Sequence, residues 1–187
     1  MDGLRVTSPA AFIRAGVGHV PEDTGTGLAV TATVLDNAIL KAVARPPIRR
    51  GPFISHPAAR ATARDLLAAG HLDRIGLRRH ASTLSGGQAQ RLIVQRELQA
   101  GWRALVAAYP TRGLDVGSIE FVHKRIIAAR DAGIPVIVVS TELDEVVALA
   151  DRIAVMYRGG IVGIVPGDTP RDVLGLMMAG ETTGAAA

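Results

Sequence analysis

No cysteine occurs in the 187 residues, which excludes a disulfide framework and a thiolate zinc site and fits a reducing compartment. Aromatic residues make up only 3% of the chain, so there is little to stack on nucleic-acid bases. That scarcity offsets the net charge of +4 and the pI near 10.3. The basic residues come in small groups (Arg45, Arg49 and Arg50; Arg78, Arg79 and His80), and no nucleic-acid partner is expected. Long apolar runs are missing as well: nothing approaches the roughly 20 residues of a spanning helix, and no basic region followed by an apolar stretch opens the chain. A cytosolic protein is the expectation. What remains is a 48% hydrophobic chain long enough for one α/β domain with a real core.

Three short apolar runs without alternation, Ala104 to Ala108, Val136 to Ser140 and Ile153 to Tyr157, have the pattern of strands buried on both faces of a parallel sheet. Helical spacing lies between them. Ile119, Val122, Ile126 and Ile127 mark a helix over Gly117 to Arg130, stopped by Gly133 and Pro135, and Leu143, Val146, Val147 and Ala150 mark another over Glu142 to Ala150. Alternating strands and helices imply right-handed crossovers in a layered α/β architecture. In the first half, a short strand is expected within Ala15 to Val20, and helices over Val34 to Val43 and Pro57 to Ala69. The four prolines between Arg45 and Pro57 point to loop, and the tail from Glu181 to Ala187 to disorder.

The most informative segment is Leu84-Ser-Gly-Gly-Gln-Ala-Gln-Arg91, which runs into a helical stretch. Ser85 can cap that helix while Gln88, three residues on, completes a capping box. Gly86 and Gly87 leave backbone amides uncovered at the positive end of the helix dipole, where a phosphate is welcome. Taken alone, Ser-Gly-Gly reads as an ordinary helix start.

The order of motifs around it resembles the ATPase subunits of ATP-binding cassette (ABC) transporters, of which LSGGQ is the signature. Ala104 to Asp115 (ALVAAYPTRGLD) is similar to the Walker B strand, Pro-Thr and D-loop. Val139 to Val146 (VSTELDEV) resembles the switch region, Asp151 to Gly160 (DRIAVMYRGG) the closing strand and turn, and Ala15 to Asp23 (AGVGHVPED) the Q-loop region. Val-Pro-Glu-Asp and Pro-Thr-Arg-Gly-Leu-Asp-Val-Gly are closest in pattern to the second cassette of double-cassette simple-sugar or nucleoside importers. The resemblance implies a truncated P-loop NTPase fold, mostly parallel sheet with helices on both faces. Residues 1–180 would form a partial cassette, with 21–100 as helical subdomain carrying the Q-loop and signature, 101–180 as the part from Walker B onward, and 181–187 as tail.

Four departures from the family pattern bear on chemistry. No G-x-x-x-x-G-K-[ST] phosphate loop occurs in the sequence, which implies a missing strand between those near Val136 to Ser140 and Ile153 to Tyr157, open sheet edges, and a longer natural product or a truncated remnant. Ala108 and Tyr109 stand where the family has the magnesium-holding aspartate and the glutamate that polarises water. Alanine lends no ligand oxygen, and a phenol with a pKa near about 10 is a poor base. Thr141 replaces the switch histidine, and Glu22 the Q-loop glutamine. Tyr109 and Thr141 can equally be space-filling residues beside a site without activity.

The isolated chain is therefore expected to be inactive, with no catalytic group and no metal site of its own. The signature is intact, and because family cassettes pair head to tail, Ser85, Gly86, Gly87 and Gln88 would meet the γ-phosphate of a partner's ATP in trans. Asp115 would lie at the seam. ATP and Mg2+ are then cofactors only in the pair. The implied partners are a complete ABC cassette, transmembrane permease subunits and, indirectly, an extracytoplasmic solute-binding protein, with the chain peripheral on the inner face of the membrane. The region from Thr31 to Ala44 would receive the permease through Val30, Val34, Leu35, Ile39 and Leu40, a pattern that also reads as plain core. The alternative is a non-enzymatic remnant or interaction module that binds no nucleotide alone.

Overall fold

A computed structural model describes residues 8–181. The chain divides into two compact units, residues 1–137 and 138–187.

In the first unit, α1 (Pro9–Arg14), capped by Ser8, leads into β1 (Val17–Val20). The single turn α2 (Thr24–Gly27) and the short helix α3 (Val34–Ile39) follow. Thr33 and Asp36 close a reciprocal capping box on α3, each accepting the other's backbone N–H at 3.2 Å. The helix expected as far as Val43 stops at Ile39, where Ala42 N and Val43 N both donate to the Ile39 carbonyl and tighten the chain into turns. The proline-rich segment, expected as loop, holds a small antiparallel hairpin, β2 (Arg49–Arg50) and β3 (Phe53–Ile54), before α4 (His56–Ala69).

A 3-10 turn, Ala81–Thr83, then precedes α5 (Gly86–Gln99), the hub of the unit, which packs against α2, α3, α4, β1 and α6 (Val116–Asp131). Leu92, Ile93 and Val94 on α5 are fully buried. Between α5 and α6 runs β4 (Ala104–Ala108), parallel to β1 with Val17 opposite Ala104 and Val20 opposite Ala107. The sheet order is β1, β4, β5 (Val136–Val139).

The second unit is built on α7 (Leu143–Leu149), an antiparallel pair β6 (Arg152–Tyr157) and β7 (Gly160–Pro166), and α8 (Arg171–Met178). Ile153, Val155, Leu174 and Met177 form its core, with Val146, Val147, Val162 and Val165 packed around them.

Two expectations about the sheet are corrected. The Ile153 to Tyr157 strand does not continue a parallel ladder: it pairs antiparallel with β7 through a tight turn in which Arg158 and Gly159 both have positive φ, 47° and 82°. Nor are the last two predicted strands buried on both faces. Ile137 is 62% and Val139 43% exposed on β5, and β6 alternates buried Ile153 and Val155 with exposed neighbours. Of the predicted tail, Glu181 is exposed and outside any helix or strand, and residues 182–187 lie outside the described region.

Candidate nucleotide site

Ser85 begins α5 as its N-cap: Gln88 N donates to Ser85 Oγ at 3.3 Å and Ser85 N to Gln88 Oε1 at 3.1 Å. The capping box read from the sequence is present. Asp115 does the same for α6, its Oδ1 accepting Ser118 N at 2.9 Å and its Oδ2 accepting Ser118 Oγ at 2.7 Å. These two bonds, with Arg91 nearby, hold the Asp115 carboxyl below its ordinary range despite some desolvation.

The two helix starts meet at Gly87. A Cβ there would fall 2.4 Å from Ser118 Oγ and 2.9 Å from Asp115 Oδ2, so only glycine lets the start of α5 press against the Asp115 cap of α6. Ser85, Gly87, Gln88 and Asp115 thus line one cleft of about 440 Å³, shared with Ser118, Arg91, Arg74 and His71. Gly86 stands exposed at the first position of α5. Arg91 lies over the Phe121 ring at 5.2 Å, and His71 meets the same ring edge-on at 5.8 Å, which holds both side chains at the cleft wall. Two helix N-termini and two arginines line the cleft together with the carboxylates of Asp73 and Asp115, so charge of both signs faces it.

Beneath it, Gln90 Nε2 donates to the Pro110 carbonyl at 2.7 Å, a buried bond that ties α5 to the segment after β4. That segment carries the altered positions. Ala108 ends β4, and Tyr109 follows in the left-handed region with φ 46°. Arg112 covers the Tyr109 ring at 5.8 Å and forms an ion pair with Glu22. Glu22 and Tyr109, read separately in the sequence, are therefore joined through Arg112, a residue sequence reasoning did not single out. Thr141 belongs to the second unit, exposed in the bend before α7. Ala108 and Tyr109 do not fit a magnesium ion, because neither brings a carboxylate, and the described residues contain no group of three His, Cys, Asp or Glu able to hold a metal.

Of the segment expected to receive a permease, Val34 and Ile39 are in the core, Leu35 is half-buried, and Val30 and Leu40 remain exposed at 42% and 49%. Arg91, Ser118, His71 and Arg74 were missed as site residues. An Asp-x-x-Ser cap pattern at Asp115 to Ser118 was the one available signal.

No protein-family model matches the chain. It is 42% identical over 174 residues to the nucleoside import ATP-binding protein NupA of Lactococcus lactis, covering 92% of this chain and 34% of that protein. The guanosine import ATP-binding protein NupO of Bacillus subtilis is 39% identical over 177 residues (94% and 35%), and the glucose import ATP-binding protein TsgD13 of Haloferax volcanii 38% over 188 (96% and 34%). The chain spans about a third of the length of the curated relatives it matches. Among solved structures, the fold is shared with a dimeric post-hydrolysis ATP-binding cassette bound to ADP and Pi, at a TM-score of 0.71 and 22% identity, covering 86% of this chain and 68% of that one. On these similarities, the chain belongs to the ATP-binding cassette family.

Proposed function

We propose that the chain is part of the nucleotide-binding component of an importer for sugars or nucleosides, and that it lends its signature to ATP held by a complete cassette. The observation that carries this reading is Gly87 clasped against Asp115 and Ser118, which opens the N-termini of two long helices onto one cleft beside Arg91. Ser85, Gly86, Gly87 and Gln88 would face the partner's γ-phosphate, with the Gly86 and Gly87 amides outside the capping box that occupies those of Ser85 and Gln88. Preorganised dipoles aimed at developing phosphoryl charge are how such sites gain their rate. At the Walker B positions Ala108 and Tyr109 bring neither a base nor a metal ligand, and Glu22 is paired with Arg112. ATP and Mg2+ are bound only in the pair. Residues 21–100 act as the helical subdomain and 101–180 as the part from Walker B onward. The 31–44 region meets permease subunits through Val30 and Leu40, the solute-binding protein acts indirectly, and the assembly is peripheral on the inner face of the membrane.

Calorimetric titration with Mg-ATP tests this. The chain alone gives no heat of binding, and the chain mixed with a separately expressed complete cassette binds. In the mixture, Ser85→Arg abolishes ATP turnover by filling the phosphate's place. Micromolar binding to the isolated chain, or turnover unchanged by Ser85→Arg, overturns the reading. Absence of binding in the mixture favours an interaction module that uses no nucleotide.

A further inference from the structure

We propose that the β2–β3 hairpin, with the arginines around it, is a docking surface for an anionic phospholipid bilayer. From Asn37 to Arg64 the chain carries Lys41, Arg45, Arg49, Arg50, Arg60 and Arg64 and no Asp or Glu. Asp36 and Asp65 bound this segment, and within it the exposed guanidiniums are complementary to an anionic surface. Within it the hairpin exposes its two largest apolar side chains, Phe53 at 75% and Ile54 at 50%. The register sets Arg50 opposite Phe53 and Arg49 opposite Ile54. Cross-strand neighbours share a face, so each face of the hairpin pairs an arginine with an apolar side chain.

This hairpin is built rather than slack. Gly51, with φ 62°, and Pro52 make a two-residue turn. Ile48, 1% exposed, anchors the base, where Ser55 N donates to the Ile48 carbonyl at 2.8 Å. Arg45 and Lys41 are occupied elsewhere, Arg45 donating to the Ala100 carbonyl and lying over Trp102 and Lys41 sitting 3.7 Å from Glu97, while Arg49 Nε donates within the hairpin to the Gly51 carbonyl. The basic surface continues instead along α4, where His56, Arg60 and Arg64 are exposed at four-residue spacing along one flank of the buried Ala59, Ala63, Leu66 and Leu67.

Paired arginine and apolar side chains suit the headgroup boundary of a bilayer, where the guanidinium meets phosphate and the ring and aliphatic chain enter the acyl region. A nucleic acid would call for stacking platforms, and Phe53 is the one aromatic residue in the 37–64 segment. The surface shares no residue with the nucleotide cleft, so the proposal is independent of the ATP reading.

Cosedimentation of the purified chain with vesicles tests it. Vesicles of phosphatidylglycerol and phosphatidylcholine should bind the chain, binding should fall steeply with added salt, and pure phosphatidylcholine should bind little. Removing both charges, Arg49→Gln with Arg50→Gln, should weaken binding roughly 25-fold at about fivefold per arginine. Phe53→Ser should weaken it roughly tenfold, and the double lysine variant should keep it. Phe53→Trp adds a direct reading: against the buried Trp102, its emission should shift blue on anionic vesicles and stay put with neutral ones. That reading decides the matter should a charge variant fail to fold by circular dichroism. No binding, equal binding to neutral vesicles, or an unshifted Phe53→Trp emission overturns the proposal. So does binding to an RNA oligonucleotide, lost in the glutamine variant, without binding to vesicles.

Discussion

Gly87 is the residue on which the site's shape depends. Its Cα faces Ser118 Oγ and Asp115 Oδ2 so closely that one methyl group has no room. Gly87→Ala must therefore either push α5 away from α6 or turn the Ser118 hydroxyl out of its bond to Asp115. Overpacking of this kind costs about 1–3 kcal/mol. We expect urea unfolding, followed by the emission of the one tryptophan, to show that loss for Gly87→Ala. Adding Ser118→Ala removes the atom at 2.4 Å, so the double variant should lose less than the two single losses summed. Strict additivity would mean that the two residues do not press on one another.

At the scale of elements, α5 is held by a buried carboxylate. Glu97, with a fully buried side chain, accepts from Trp102 Nε1 at 3.2 Å and from Arg96 Nε and Nη2 at 3.1 Å, with Lys41 Nζ at 3.7 Å. Its other contact is the backbone N–H of His19 on β1, and Arg96 Nη2 also reaches the Gly27 carbonyl at the end of α2. One side chain thus fixes α5 against the strand and turn that flank Glu22. Glu97→Ala would strand Arg96 and the Trp102 N–H without their acceptor, and we expect a loss of about 3–5 kcal/mol in the same unfolding measurement. A loss below about 1 kcal/mol would show that water replaces the carboxylate. None of this was legible beforehand, because a Glu in a helix reads as surface until its partners are known. What was legible came from local chemistry. Ser85 with Gln88 announces the start of α5, the apolar spacing from Ile119 onward marks α6, and both helices begin within a residue or two of the expected place. The strand β7 escaped because Gly160 and Gly163 interrupt its apolar pattern, and the Glu22–Arg112 pair because its members are 90 residues apart.

Sheet edges decide how the whole molecule behaves in solution. The resemblance places a further strand between the Val136 to Ser140 and Ile153 to Tyr157 segments. In the structure β5 ends the order β1, β4, β5, and β6 takes β7 as its partner. A short apolar run is the same pattern whether both faces are covered or one is bare, so the sequence could not reveal that Ile137 and Val139, two residues apart on one face, are exposed. An edge strand with open hydrogen-bonding groups and two exposed β-branched side chains is a template for pairing with another chain. We expect the chain to self-associate at micromolar concentration, with a sedimentation coefficient that rises with loading. A lysine at each of these positions, Ile137→Lys with Val139→Lys, places charge along the edge without touching β4 and should return the chain to a single slow species. Association unchanged in that variant would move its cause off β5, to the apolar side chains that the second unit leaves exposed at Met156, Ile161 and Ile164. Lysines at those three positions would then be the substitutions that restore the slow species, since a charged row on the hairpin disfavours edge and face pairing alike.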